Sequence, residues 1–442
     1  MKRLWILLLI VPLFVSTAGI NAEEKKLSLR ECIETALKNQ PSILAARANI
    51  DAGQGRQTQA ASPYYPQVSA STGYSESRQL GGMFGGDSTT KGYTTTLQVN
   101  QLIYDFGKTG NAYDAARWGT RSSERDAERV SQEVVLNVKQ AYFALLQADK
   151  LVEVAQKTVE QTESHLKQAQ AFFHAGSKPR FDVTRAEVDV NNAKLSLINA
   201  KNSVRIRTIA MNNAMGIDPG RATQIEDVLP PVPPLPTLEQ AQAEALKSRP
   251  EFNKAEADIE AAKARVKTEQ SNYLPTLSAS GAYNWANGTT ETSFGGQSLP
   301  GFTGQSIQSD MQNSWNAGIT LTIPLFQGGL TRGRVSEARA NLLVLEAQRN
   351  TIRQSILLEL NQAFADMEGA SARVDVMEST VKKAGESLEL AQGRYEAGIG
   401  PYIEVTDAQL AAVNAETDHI QALYDYQLAV ARLLKAMGAA TP

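Results

Sequence analysis

The sequence predicts a mixed α and β membrane protein in which one plan, short helices followed by a β-hairpin and a very long helix, is used twice. Three observations support this fold class. Residues 28–74 match residues 237–283 without a gap, which indicates an internal repeat. Two very long stretches follow a heptad pattern that is typical of coiled coils. Two pairs of segments alternate strictly between apolar and polar side chains, as strands do.

The first segment, residues 1–22, is predicted to be a signal peptide. Two basic residues precede an apolar run over residues 4–15, and small residues follow, with cleavage expected at Ala18 or Ala22. The run is too short to span a bilayer as a helix. We therefore expect the mature chain to be exported.

The duplication divides the mature chain into two repeats, at residues 23–226 and 237–438. Between them, residues 227–236 contain five prolines, which favour an extended linker. A short tail follows at 439–442. Each repeat has the same kind of residues at its element boundaries. Pro ends a helix, and Gly relieves crowding where a strand is followed by a helix. The matching segments are Tyr64-Tyr65-Pro66 with Tyr273-Leu274-Pro275, and Tyr104-Asp105-Phe106-Gly107 with Phe326-Gln327-Gly328-Gly329.

Each repeat is expected to contain one β-hairpin, with strands at about 66–76 and 93–104, and at about 275–286 and 313–325. One face carries apolar side chains and the other is rich in Ser, Thr, Asn and Gln. A single hairpin of this kind also fits a soluble sandwich. Two matched hairpins in an exported chain favour the outer membrane, because strands of ~10–12 residues, tilted, span its apolar band.

Four strands cannot close a barrel, and an open edge in lipid would leave about ten backbone groups unpaired at several kcal/mol each. Neighbouring copies must therefore complete the barrel, with eight strands in a dimer or twelve in a trimer. Side chains fill an eight-stranded barrel, whereas twelve strands leave a lumen. Long helices below a hollow barrel favour a homotrimer with a 12-stranded barrel.

The long helices are predicted over about 109–174 and 331–396, each roughly 100 Å long at ~1.5 Å per residue. A second helix returns along each of them, so coiled-coil hairpins span about 109–216 and 331–437. Ala alternates with larger residues along the seams, which allows close, left-handed packing. Each hairpin turns at a glycine, which ends a helix, and a proline, which permits the next helix to begin.

The composition excludes several classes of function. The chain has 44 Lys and Arg against 47 Asp and Glu, a net charge of −3, whereas nucleic-acid binding needs a basic surface. One Cys and three scattered His do not make a metal site. No nucleophile–base pair or glycine-rich phosphate loop is present, so neither an enzyme nor a cofactor is predicted.

Through these motifs, over about residues 27–438, the chain resembles the TolC-type outer-membrane efflux proteins. The resemblance implies a homotrimeric barrel that continues into a periplasmic α-helical coiled-coil tunnel. It also implies a periplasmic adaptor and an inner-membrane pump as partners, with the channel as the passive exit duct of a tripartite exporter in a Gram-negative outer membrane. A duct of the same shape for type I protein secretion is an alternative, and a soluble periplasmic coiled-coil scaffold is a remote one.

The resemblance further implies a gate at the periplasmic end. Glu404 and Asp407 resemble the family's constricting acidic ring; they lie three residues apart on one helical face, and a plain solvated acidic face is the alternative interpretation. Tyr395 and Asp182 match two members of the family's gate-holding contact. The third member, an Arg, is Gly400 here, which leaves fewer bonds for the latch.

The tips of the hairpins are the expected adaptor contacts, because the family carries a Val-Gly-Thr/Ser-Arg/Lys motif there. The first tip is close to that motif, while the second lacks its hydroxyl and its cation. Plain turn residues that end two helices would explain the glycines equally well. The expected contact residues are Gly176, Ser177, Lys178, Gly398 and Ile399.

Overall fold

The computed structural model describes residues 26–80, 86–234, 236–294 and 306–439. The predicted signal peptide lies outside the described residues, as does the predicted tail beyond residue 439. The described chain forms two compact units. One contains residues 26–35 and 138–231, and the other contains residues 36–137 and 232–439.

The elements occur in the same order in both repeats. The first repeat contains α1 (Leu29–Asn39), α2 (Pro41–Ala61), β1 (Gln67–Gln79), β2 (Gly86–Tyr104), α3 (Lys108–His174) and α4 (Arg180–Met215). The second contains α5 (Leu238–Ser248), α6 (Pro250–Ser271), β3 (Thr276–Phe294), β4 (Ser306–Thr322), α7 (Leu330–Glu396) and α8 (Tyr402–Ala436). α3 and α7 each have 67 residues. No helix in the described ranges is long and apolar enough to cross a membrane.

The four strands form one antiparallel sheet in the order β1-β2-β3-β4. Cross-strand partners share a face, so the register tests the predicted alternation. Val68 lies opposite Val99, and Leu97 lies opposite Tyr283. The predicted apolar faces of the strands therefore coincide, which confirms the prediction except at the end of β2, where a register shift between Leu102 and Tyr104 places Tyr104, and not the predicted Ile103, opposite Leu277.

The strands extend further toward the hairpin loops than the sequence indicated. β2 begins at Gly86 instead of about residue 93, β3 continues to Phe294 instead of about 286, and β4 begins at Ser306 instead of about 313. The added segments are rich in Ser and Thr and lack the alternation that predicts a strand. Their backbones nevertheless pair, and the hydroxyls of Thr90 and Thr290 lie 3.3 Å apart.

β4 is also shorter at its other end than predicted. It stops at Thr322 instead of about residue 325. Pro324 has no backbone N–H to donate to a neighbouring strand, so pairing ends before it.

In the larger unit, α5, α7 and α8 enclose a hydrophobic core in which Leu360 and Leu433 are fully buried. Arg249, only 4% exposed, closes one end of this core. Its guanidinium Nη2 donates to Glu359 Oε2 at 2.8 Å, Nε donates to Glu251 Oε2 at 3.1 Å, and Nη1 donates to the carbonyl of Ala436 at 3.2 Å. That carbonyl ends α8, where a cation offsets the negative end of the helix dipole.

In the smaller unit, α1 begins beside a short bridge between Leu27 and Ile225. The hydroxyl of Tyr142 donates to the carbonyl of Glu226 at 2.8 Å. Cys32, the chain's one cysteine, is completely buried here. Burial, and then the charges of Glu31 and Glu226, raise the pKa of its thiol to about 12. The thiol is therefore a neutral packing group.

Candidate functional site: the two-faced sheet and the helix-hairpin tips

The apolar face of the sheet is uncovered in a single chain. Trp315 is 75% exposed and Ile319 is 71% exposed, in a row that begins at Leu321. Along β3 the same face runs from Leu277 to Trp285, a rise of ~26 Å that becomes ~20 Å at a ~40° tilt, close to the ~25 Å apolar band of outer-membrane strands. An exposed apolar surface of this size indicates contact with lipid or protein.

An aromatic row marks one limit of this band. The rings of Tyr74 and Tyr93 lie 5.0 Å apart on neighbouring strands. On the same face, one step further toward the hairpin loop, Lys91 Nζ lies 3.2 Å from Glu76 Oε1. Aromatic side chains followed by charges are the pattern at a membrane–water interface. The added lengths of strand lie beyond the aromatic row, toward the hairpin loops.

The opposite face of the sheet carries small polar side chains. Ser69 lies opposite Gln98. The hydroxyl of Thr96 donates to Asn284 Oδ1 at 2.8 Å. A face of neutral hydroxyls and amides suits a water-filled interior.

At the second tip, α7 ends in a Schellman motif. Gly398 has a left-handed backbone, with φ of +77°, and its N–H donates to the carbonyl of Tyr395 at 3.0 Å. The N–H of Ile399 reaches the carbonyl of Arg394, also at 3.0 Å. These two bonds satisfy carbonyls that a helix end leaves without intrahelical partners. Pro401 then precedes the first residue of α8.

Two side-chain contacts hold the second tip together. The rings of Tyr395 and Tyr402 pack edge to face with centroids 5.5 Å apart, and both are almost completely buried. Arg394 Nε donates to Glu404 Oε2 at 3.1 Å across the turn. The predicted gate residue Tyr395 is thus part of the packing inside the tip. Neither contact was predicted from the sequence, although a short antiparallel turn brings position 394 to face position 404.

The two predicted pore carboxylates lie one turn apart on α8. The side chain of Glu404 is 42% exposed, and Asp407 is exposed. Val405 and Ala408, the residues that follow each of them, are buried, so the carboxylates lie beside the packed seam. Their exposure on a single chain fits both the predicted acidic ring and a plain solvated acidic face, so the pore role stays a prediction.

At the first tip, α3 ends in the same motif. Gly176 has φ of +68°, and its N–H donates to the carbonyl of Phe173 at 2.9 Å. Both the N–H and the hydroxyl of Ser177 donate to the carbonyl of Phe172 at 3.0 Å. The hydroxyl of Ser177 therefore has a local role as a helix cap, which the sequence interpretation did not foresee. Phe181, just after this tip, is 69% exposed.

Asp182 lies in the first turn of α4 and is 8% exposed. The positive end of the helix dipole favours a carboxylate at this position. Its predicted contact with the second hairpin stays a prediction. Within the residues that the structure describes, no group of three or more His, Cys, Asp or Glu could hold a metal ion.

The chain is similar to known proteins in sequence and in fold. The family model described as outer membrane efflux protein matches residues 32–217 and 242–439. The chain is 22% identical over 438 residues to outer membrane protein TolC of Escherichia coli (strain K12), covering 98% of this chain and 86% of that protein. It is 23% identical over 425 residues to the alkaline protease secretion protein AprF of Pseudomonas aeruginosa, covering 92% and 83%. The solved structure of CusC superposes with a TM-score of 0.78 at 20% identity, covering 93% and 92%.

Proposed function

This chain belongs to the outer membrane efflux protein family, and from that premise we propose that three copies assemble into one continuous duct across the outer membrane and the periplasm. The protein is an outer-membrane efflux channel. The observation that carries the trimer is the open four-stranded sheet, which has β1 at one edge and β4 at the other and an uncovered apolar face.

Closure of the sheet by neighbouring copies would pair its two open edges and let its uncovered apolar face contact lipid. β1 has 13 residues and β4 has 17, and unpaired backbone groups along such edges are not tolerated in lipid. Because the four strands alternate in direction, β4 of one copy can pair antiparallel with β1 of the next. Three copies then give a ring of twelve strands, which is wide enough to leave a lumen lined by the polar face.

The helical hairpins continue the duct into the periplasm. α3 and α7 are each about 100 Å long at 1.5 Å per residue, enough to carry a tunnel far from the membrane. The chain supplies a passive, water-filled path. A periplasmic adaptor and an inner-membrane pump are the proposed partners, and the pump supplies the energy for transport.

We place the gate at the inner end of the tunnel, where three copies would gather Glu404 and Asp407 into an acidic ring. Tyr395 and Asp182 are its proposed holding residues. The proposed adaptor contacts are the tips, with the exposed Ile399 of the second tip as an apolar anchor. At the first tip, Gly176 and Ser177 shape the turn that presents Lys178, and Gly398 does the same for Ile399.

The oligomer is tested by extracting the outer-membrane fraction with mild detergent and measuring the mass of the particle by native mass spectrometry. We expect three chains per particle. A single chain per particle, or release of the protein by osmotic shock without detergent, would contradict the channel and support the soluble scaffold.

The acidic ring is tested by replacing Glu404 with Gln and Asp407 with Asn together. Removing six carboxylates per trimer should weaken the block of single-channel current by multivalent cations about tenfold or more, because cations gather where negative charges converge in a narrow pore. Glu389→Gln, an exposed carboxylate on α7, is the matched control and should leave the block unchanged. Unchanged block in the double variant would remove both residues from the pore lining.

Protein secretion is the second candidate, favoured by the similarity to the secretion protein AprF. Deletion of the gene separates the two. Increased susceptibility to small toxic compounds supports efflux of small molecules, whereas loss of a polypeptide from the culture medium supports secretion.

A further inference from the structure

We propose that Arg394 sets the charge and selectivity of the channel entrance by neutralising Glu404, and that Gly400 provides the space in which it does so. This inference rests on the proposed position of Glu404 and Asp407 in the pore. The family resemblance places an arginine at position 400, and because Gly400 stands there it predicts only a weakened polar latch. We instead assign a charge at this tip to another arginine. A guanidinium is present at the tip, but it comes from α7.

The ion pair joins the two helices of the second hairpin across the turn. Arg394 Nε lies 3.1 Å from Glu404 Oε2, within the range of a charge-assisted hydrogen bond. The two side chains are 53% and 42% exposed, so the bond is accessible to solvent. Its contribution to stability is accordingly small, and its main consequence is electrostatic: one positive charge sits directly on one of the two ring carboxylates.

Backbone bonds fix the position from which Arg394 reaches Glu404. The carbonyl of Arg394 accepts the N–H of Ile399 and the N–H of Gly400, both at 3.0 Å. The loop is therefore folded back over the last turn of α7, and position 400 lies against the stem of the arginine.

Gly400 leaves room that any larger residue would fill. A Cβ at position 400 would lie 3.1 Å from Arg394 Cβ and 3.4 Å from Glu404 Oε2. Gly400 is not among the residues with positive φ in the described chain, so backbone conformation does not demand glycine there. The tight approach to the base of the Arg394 side chain is the reason for glycine that the geometry offers.

The first tip has different residues at these positions. By the repeat alignment, Phe172 stands where Arg394 stands, Lys178 stands at the position of Gly400, and Asp182 stands at that of Glu404. Of the two aligned positions, only position 394 carries an arginine, in the repeat that also carries both proposed ring carboxylates.

The net charge of these three residues in each variant predicts the order in which the variants are blocked by cations. Arg394, Glu404 and Asp407 together carry −1 per subunit. Arg394→Gln makes this −2, Glu404→Gln makes it 0, and the double variant returns it to −1. If Arg394 neutralises Glu404, block by a multivalent cation should be strongest in Arg394→Gln, weakest in Glu404→Gln, and similar in the double variant and the unmodified channel.

The experiment measures the concentration of hexamminecobalt(III) that halves the current of single trimers in a planar bilayer. We expect Arg394→Gln to lower this concentration about tenfold, the effect of three charges at short range that are partly screened by salt. Equal block in Arg394→Gln and the unmodified channel, with weaker block in Glu404→Gln, would overturn the inference and leave the acidic ring intact. Equal block in all four channels would instead overturn the placement of the ring.

Gly400→Ala tests the space around the pair. The added methyl should press on the base of the Arg394 side chain, shift its guanidinium away from Glu404 and strengthen block in the same direction as Arg394→Gln, by about threefold for partial displacement. Gly393→Ala, where an added Cβ meets nothing within 4 Å, is the matched control and should behave as the unmodified channel does. Unchanged block in Gly400→Ala would contradict the role assigned to Gly400.

Discussion

Replacing Ile319 with arginine is expected to prevent the channel from assembling in the outer membrane. Ile319 stands on the apolar face of β4, opposite Ala279, and is 71% exposed, so the substitution meets no steric obstacle within one chain. The cost arises only in lipid. An arginine near the bilayer midplane costs about 2–4 kcal/mol in a β-barrel, and a trimer would carry three of them. The measurement is the amount of trimer recovered from detergent-extracted outer membranes.

The next residue along the strand provides the control. Thr320 lies on the polar face, opposite Ser278, and its arginine variant would point into the proposed lumen. We expect Thr320→Arg to assemble normally and to reduce cation conductance. Normal assembly of Ile319→Arg would show that the apolar face does not contact lipid, and equal loss in both variants would contradict an effect specific to that face.

Replacing Arg249 with methionine should lower the stability of the larger unit by roughly 2–3 kcal/mol, below the ~3–5 kcal/mol for breaking a fully buried pair, because the 42% exposed Glu359 can be rehydrated. The substitution leaves Glu359 and Glu251 without their guanidinium and the carbonyl of Ala436 without its donor. The measurement is the apparent melting temperature of the helical signal in detergent. Arg349→Met, which removes the more exposed pair with Glu256, is the matched control and should change it little.

This destabilisation should depend on pH. Burial by itself would raise the pKa of Glu359, but the charge and hydrogen bond of Arg249 and the charge of Lys435 outweigh it, and the pKa lies below the ordinary 4.5. A carboxyl whose pKa is lowered by folding stabilises the native state above its unfolded pKa, and that stabilisation is lost as the pH falls through the folded value. The difference between the unmodified protein and Arg249→Met should therefore narrow below about pH 4.5. A constant difference down to pH 3 would contradict the ion pair.

The apolar and polar faces of the sheet could be predicted from the sequence, because the alternation of side chains is a local property of each strand. Val68 and Val99 belong to separate apolar rows, and the register brings the rows together. The ends of the strands nearest the hairpin loops could not be predicted from the sequence. Thr90 and Thr290 stand in polar segments that also suit loops, and only pairing between strands 200 positions apart decides that they are extended.

At the hairpin tips, too, the local features could be predicted from the sequence and the contacts between distant positions could not. Glycine followed by proline marks where α7 and α8 end and begin, because each residue type has a fixed backbone preference. The partner of Glu404 was not predictable in that way. Arg394 is ten positions away, beyond the spacing of neighbours on one helix, and the pair exists only because the loop folds back on the last turn. Ser177 was similarly interpreted as a partner contact because its bond to Phe172 depends on the geometry of the finished turn.

The burial of Cys32 has a practical consequence for following the gate. The chain has a single sulfhydryl, which is shielded from solvent and whose pKa is raised to about 12 by burial and then by the charges of Glu31 and Glu226. Maleimides and spin labels react with thiolates that they can reach, so the wild-type background is already silent. A cysteine introduced at Ile399 would take up a probe alone, and distances between the three probes would report how far the entrance widens during transport.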